Sequence, residues 1–249
     1  MVSEPLRIGV LLVNCVQLLD LAALDLLYMA SPEWLEEIGM PKHLADLGRP
    51  CEIHYITRDG PDKMASVTSD LSIRVNSTTK DSAVAPGNLD ILFLPGPSPR
   101  VMPPAEDYLE FVRKHNVVET TIMTICTGAL VAAHAGITKG KVGTSPRFLI
   151  PYMKKTFPDT KLWDHTLRVT RDGNLWMCDE GGITNGHDLV AEYLRENYPA
   201  PLVNTVLGAA DVAQRPLQYQ TTATRDSAFF MWQIIRAIPS SIMRMLTAH

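Results

Sequence analysis

Short runs of unbroken apolar residues recur along this chain, separated by stretches whose leucines and alanines fall three and four apart. Arg7–Val13 (RIGVLLV), Leu89–Leu94 (LDILFL) and Glu119–Ile125 (ETTIMTI) have the continuous apolar character of strands covered on both faces. Glu52–Thr57 (EIHYIT) alternates, as a half-covered strand does, and Leu71–Val75 predicts a further short strand after a turn over Asp59–Ala65. Helical spacing predicts helices over Leu18–Ala30, Trp34–Leu47, Glu106–His115 and Ala129–Ala135. The second closes at Gly48 and Pro50, and the last is capped by Gly136. Leu167–Thr170 and Leu175–Cys178 read as two strands joined at Asp172-Gly173, followed by a helix from about Thr184 to Asn197. The remainder is helical, over Leu202–Val212 and Ser227–Leu246, with Pro216 and Pro239 as breaks. Buried strands alternating with helices predict an α/β sandwich around a mostly parallel sheet. No repeat, low-complexity tract or linker divides the chain, so residues 1–249 form one domain whose last fifty or so residues are helical.

Composition narrows the function classes. At 249 residues, 46% apolar and 20% charged, the chain can build a core without disulfides or a structural metal. A net charge of −4 with no lysine or arginine cluster argues against a nucleic-acid surface. Ser227–His249 is too short for a helix-turn-helix pair. Cys15, Cys51, Cys126 and Cys178 show no CxxC or Cys/His spacing, so no metal site is expected. No stretch reaches the ~20 apolar residues of a membrane span, and Ser3-Glu4-Pro5 is unlike a signal peptide. These features predict a cytoplasmic protein with reduced thiols.

The sharpest local pattern is Thr121–Leu130 (TIMTICTGAL), a buried strand running into Cys, Thr, Gly and an alanine-rich helix. That is the layout of a nucleophile elbow. The turn holds the thiol clear of the backbone, and the positive end of the next helix favours the thiolate, the reactive form. Gly128 lets the turn close, and the Thr127 amide can face a developing oxyanion. Asp20, set among Leu18, Leu19 and Leu21, is costly in an apolar stretch unless paired or used. In a parallel sheet the loops after each strand gather at one edge. Asp20, the Pro95-Gly96-Pro97 turn and Cys126 are therefore expected to meet there.

VQLLDLAALDLL, LDILFLPG, TICTGALVAAHAGITKGK and VTRDGNLWMCDEGGITNGHDL together resemble the DJ-1/ThiJ/PfpI superfamily of glutamine-amidotransferase-like proteins. The resemblance covers about residues 6–198, and the helical tail after it diverges. It implies a flavodoxin-like three-layer sandwich, no cofactor, a small-molecule substrate and a homodimer, with no nucleic-acid or membrane partner. The nearest group is the isonitrile hydratases. Carried over residue by residue, the resemblance makes Cys126 the nucleophile, Asp20 the general acid/base and Thr127 an oxyanion donor that positions water. Gly96, Pro97, Gly128 and Gly182 would line the substrate. The implied reaction turns an isonitrile and water into an N-substituted formamide. Alternatives within the same resemblance are glyoxalase or deglycase action on α-oxoaldehydes and a cysteine redox sensor.

Two departures bear on the chemistry. Many relatives have a PGG turn whose second glycine donates its N–H; here that residue is Pro97, which has none. Several relatives carry a histidine after the GK pair, whereas Gly143-Thr144-Ser145-Pro146-Arg147 has no imidazole. Both weigh against acyl-transfer or protease chemistry. His134, two helical turns beyond Cys126, and His187 read as structural. The adjacent Asp179 and Glu180 read as a solvated turn, Asp25 as a surface or dimer-contact position, and Cys15 as incidental to the site. Gly181 and Gly182 lack the residues of a phosphate loop.

Overall fold

The computed structural model describes residues 4–179, 182 and 184–247, with side chains described as far as 238. The strands are β1 (Leu6–Leu11), β2 (Cys51–Thr57), β3 (Met64–Val67), β4 (Leu71–Arg74), β5 (Ser77–Thr78), β6 (Ile91–Leu94), β7 (Thr121–Thr124), β8 (Val142–Gly143), β9 (Leu162–Trp163), β10 (Val169–Asp172) and β11 (Leu175–Cys178). The helices are α1 (Leu18–Met29), α2 (Pro32–Glu37), α3 (Lys42–Ala45), α4 (Glu106–Val117), α5 (Gly128–His134), α6 (Ile150–Thr156), α7 (Asn185–Asn197), α8 (Ala200–Ala209) and α9 (Ala223–Thr247).

Among the described residues, seven strands form one sheet in the order β10-β11-β7-β6-β1-β2-β5, parallel throughout except for β10. Two apolar clusters cover it. One holds Leu24, Leu27, Leu189, Leu202 and Val206 from α1, α7 and α8. The other holds Phe111, Val112, Leu130, Ile150 and Met153 from α4, α5 and α6. The flavodoxin-like three-layer sandwich is therefore as expected, and the continuous apolar runs mark the strands buried on both faces. After β2 and β5 the chain crosses back over β1 to add β6 and then β7, so the strand order reverses at β1. At such a reversal a crevice opens beyond the carboxyl ends of the strands.

Three expectations are corrected. The helix over Trp34–Leu47 is two short helices. Gly39, at φ +79°, closes α2 with Gly39 N→Glu36 O and Met40 N→Leu35 O bonds of 3.0 and 2.9 Å, and Pro41 then keeps Met40 out of helical geometry. The turn assigned to Asp59–Ala65 gives way at Met64 to β3, which pairs with β4 as a hairpin outside the main sheet. Pro239 does not break the last helix; α9 runs continuously across that position. Among the described residues no helix is long and apolar enough to cross a membrane.

One core residue carries a pH dependence. His115, on α4, is fully buried, with Nε2 3.1 Å from the Val84 carbonyl and Nδ1 3.2 Å from Thr120 Oγ1. Burial pushes its pKa down to about 4 from an ordinary 6.5, against the opposing pull of the Val84 carbonyl. The folded state therefore holds this ring neutral while the unfolded chain protonates it, and stability is lost as pH falls from about 6.5 to about 4. The loss is about 3 kcal/mol. Urea melts of wild type and His115→Gln at pH 7 and pH 4 check this. The variant should lose less stability on acidification by about that amount, and parallel losses would refute the assignment.

Candidate active site

Asp20 arrives on the first turn of α1. The N-cap residue, Gln17, makes no side-chain cap bond; the cap comes from elsewhere, as Leu18 N donates to Thr68 Oγ1 at 2.9 Å. Thr68 lies in the loop of the β3–β4 hairpin, so the hairpin sets where α1 begins. Asp20 is wholly buried there, at the helix end whose dipole favours a carboxylate. Its Oδ2 accepts from Gly96 N at 2.7 Å.

Cys126 follows β7 directly. Ile125 N bonds to Leu94 O at 3.0 Å, and the chain then turns sharply, with Cys126 at φ +59°. A residue with a side chain seldom takes that conformation, and such strain concentrates at functional sites. The cysteine is nearly buried. Its Sγ lies 3.6 Å from Thr127 Oγ1, and that hydroxyl donates to Pro97 O at 2.7 Å.

Gly96 is the point on which the three side chains close. A Cβ built there would lie 2.6 Å from Asp20 Oδ2, 2.6 Å from Thr127 Oγ1 and 3.0 Å from Cys126 Cβ. Glycine is required because any side chain would occupy the space those groups already fill. The loop after β1 completes the wall: Gln17 N bonds to Gly96 O at 3.0 Å, and Ser98 N to the carbonyl of the exposed Cys15 at 3.3 Å.

The structure thus brings Asp20, Gly96, Pro97, Cys126 and Thr127 together and refines what two of them offer. Pro97 offers no N–H and contributes its carbonyl oxygen as an acceptor. The Thr127 hydroxyl proton is directed at that carbonyl, so its oxygen faces the sulfur as an acceptor. Gly128 touches the cluster through packing. A Cβ there would overlap the Leu94 carbonyl oxygen and lie 3.1 Å from its carbon, so glycine lets α5 start against the end of β6. At Gly182 a Cβ would meet open space, and its carbonyl accepts from Asn185 N at 2.9 Å.

Asp179 is a correction, being fully buried rather than on a solvated turn. β11 pairs with β7 as far as Met177↔Thr124, so Asp179 and Cys126 each lie two residues beyond the last pair. The strand-end logic that located Cys126 applied equally to Asp179. Glu180 and Gly181 lie outside the described residues. His134 stacks edge-on against Phe157 at 4.9 Å, and His187 lies on α7 with Thr184 and Arg215 around a surface cavity. Asp25 is exposed, as expected. Cys51 donates to Leu27 O at 3.4 Å, and burial raises its pKa to about 11, which makes it a poor nucleophile. Among the described residues no group of His, Cys, Asp or Glu suits a metal ion.

The sequence reading missed a network that ties down the C-terminal segment. Residues 217–219 run antiparallel to 166–168, through Arg168 N→Leu217 O and Tyr219 N→Thr166 O bonds of 2.7 and 2.8 Å. The Tyr219 ring lies between Arg147 and Arg168, each 4.3 Å from its centroid, and its hydroxyl bonds to Asn185. Asn185 Nδ2 also donates to Asp179 O at 2.7 Å, which links the C-terminal segment to the residue that follows β11. Arg215 clamps Asp188 through both carboxylate oxygens, at 3.1 and 2.6 Å. Arg147, in the stretch where relatives carry histidine, turns to Thr221 and Asp226.

A model of the DJ-1/PfpI family matches residues 28–182, a span that includes Gly96, Cys126 and Thr127. The isonitrile hydratase of Pseudomonas putida is 30% identical over 180 residues, 71% of this chain and 69% of the hydratase. Similar folds include a ThiJ/PfpI family protein from Pseudomonas syringae, with TM-score 0.67 and 17% identity over 93% of this chain and 87% of that one. DJ-1beta of Drosophila melanogaster has TM-score 0.62 and 19% identity over 85% of this chain and all of its own. An AraC family transcriptional regulator from Pseudomonas putida has TM-score 0.64 and 14% identity over 83% and 100%.

Proposed function

Because the chain belongs to the DJ-1/PfpI family, we propose that it is a cysteine-dependent hydratase acting on a small isonitrile-type electrophile. The observation that carries this reading is the closure of Cys126, Asp20 and Thr127 around the bare α-carbon of Gly96. The similarity to an isonitrile hydratase supports the choice of substrate class.

In this mechanism Asp20, resting as the carboxylate, takes the Cys126 thiol proton, the thiolate adds to the terminal carbon of R–NC, and Asp20 returns the proton to that carbon. The product is a thioimidate, R–N=CH–S–Cys126. Asp20 then takes a proton from water as the water adds to the same carbon, and passes it to nitrogen. Collapse of the tetrahedral carbon expels the thiolate, returns the hydroxyl proton to Asp20 and releases R–NH–CHO. One water is consumed and no electrons are transferred. The Thr127 oxygen, 3.6 Å from the sulfur, accepts the thiol proton in the resting state and a proton of the incoming water later. The adduct carries a hydroxyl rather than a full oxyanion, so the N–H missing at Pro97 is a small loss.

The test is formation of N-phenylformamide from phenyl isocyanide by wild type and Asp20→Asn. The asparagine oxygen can still accept from Gly96 N, so the variant isolates proton transfer from architecture. A drop of about 10²–10⁴-fold in kcat is expected. Folded wild-type protein that turns over neither aryl nor alkyl isonitriles would remove the hydratase reading.

A further inference from the structure

Helix α9 lies beyond residues 28–182, the span that the family model matches. Phe230, Met231, Ile234, Ile235 and Ile238 share one side of it by their three- and four-residue spacing, and each is between 49 and 64% exposed. Trp232, 56% exposed, stands at the margin of that side. Arg225, Gln233 and Arg236 fall on the opposite stripe. The helix is not apolar enough to cross a membrane. A broad apolar side, an aromatic margin and a cationic stripe are the layout of a helix that lies flat in the interface of a bilayer.

The root of the helix is fixed. Arg147, itself buried, donates through Nη2 to Thr221 O at 2.8 Å and pairs with Asp226 in the first turn of α9. α9 packs there against the turn at Arg147–Leu149. That turn and α6 expose Phe148 and Tyr152, with Leu162 exposed on the neighbouring β9. Lysines surround these apolar residues. Lys155 lies three beyond Tyr152, Lys154 beside it and Lys161 next to Leu162, all three exposed. The acids nearby are already engaged, Asp159 by Lys139 and Asp226 by Arg147.

We propose that this face docks on an anionic lipid bilayer, the apolar side of α9 and the Phe148–Tyr152 patch entering at headgroup depth and the surrounding lysines and arginines meeting lipid phosphates. Charge is what selects lipid as the occupant. Residues 147–163 hold four cations and one acid, and residues 223–249 hold three cations and one acid, in a chain of net charge −4. The rest of the protein is therefore strongly acidic. An anionic bilayer repels that body and attracts this face, which orients the molecule as it approaches. A second copy docked through the same face would set these cations against their own equivalents, a repulsive pairing. Because Arg147 already holds the helix, its root needs no ordering when it meets the bilayer. Docking of this kind is independent of the reaction assigned to Cys126.

Co-sedimentation of the full chain with vesicles of 70% phosphatidylcholine and 30% phosphatidylglycerol, and with vesicles of phosphatidylcholine alone, tests the proposal. Wild type should bind the mixed vesicles at least about 10-fold more tightly than the neutral ones. Trp232 emission should shift to the blue on binding, a shift that Trp232→Phe loses. Lys155→Gln/Arg236→Gln should weaken binding to the mixed vesicles by about 30-fold. Phe230→Ser/Ile234→Ser should weaken it by at least about 10-fold, with circular dichroism in solution unchanged in both variants. Wild type that stays in the supernatant with both vesicles, equal binding to both, or a charge variant that binds as tightly as wild type would overturn it. Wild type that ignores vesicles but self-associates, and loses that association in Phe230→Ser/Ile234→Ser, would assign the face to a second copy and overturn it as well.

Discussion

Cys126→Ala should lower formamide production by at least about 10³-fold, to the limit of detection, while leaving the fold intact. The loss is that large because the proposed route passes through a bond to sulfur, and no nearby side chain can take its place. Thr127 Oγ1 is bonded to Pro97 O and, as an alcohol, is far less acidic than a thiol. Cys51 lies elsewhere with its pKa pushed up to about 11. The fold should survive because alanine removes one atom and can occupy the same backbone position, where φ is +59° for either residue. Cys126→Ser is expected to fail nearly as completely, since a hydroxyl in the same place supplies almost no anion at neutral pH. Progress curves with phenyl isocyanide, together with circular dichroism, check this. Activity above a tenth of wild type in folded Cys126→Ala would place the nucleophile elsewhere.

Gly128→Ala should lower the melting temperature by roughly 10 °C. The added methyl would overlap the carbonyl oxygen of Leu94, which is main chain and cannot rotate away as a side chain could. Either α5 must retreat from the end of β6 or the strand must distort, and overpacking of this sort costs about 3 kcal/mol. In a chain of this length each kcal/mol moves the melting point by about 2–4 °C. Gly208→Ala is the natural control. Gly208 also lies in a helix, but nothing stands within 4 Å of its added methyl. That substitution should leave the melting point unchanged or raise it slightly through helix propensity. Equal melting points for the two variants would show that α5 can move without cost.

The catalytic candidates were legible because two local signals met a general rule of topology. Cys126 ends an unbroken apolar strand and is followed by Thr-Gly and a helix, and Asp20 is an unexplained charge among leucines. A parallel sheet brings the ends of successive strands to one edge, so both residues could be placed together before any distance was known. The same rule was available for Asp179, which directly follows β11, the strand paired with β7. Its neighbours, an acidic residue and two glycines, have the composition of an exposed turn, and burial there is set by what packs over it. The split of the Trp34–Leu47 helix was likewise written locally, in Gly39 and Pro41, but outweighed by the amphipathic spacing around them.

What the sequence by itself determined was the layering, six of the seven strands of the main sheet, the elbow and the edge where the chemistry gathers, because these follow from side-chain periodicity and from chain geometry that each segment carries alone. Only the tertiary structure decided the rest. Thr68 caps α1 from 50 residues away, Gly96 proves to be the bare centre of the cluster, and the Thr127 proton is directed at Pro97. The tail beyond α8 is tied down through Arg147, Arg168 and Arg215, and the apolar length of α9 is left uncovered. Each of these depends on pairs of residues far apart in the chain, whose individual identities are ordinary. Long-range contacts are specified by the shape of both partners together, and no local pattern announces them.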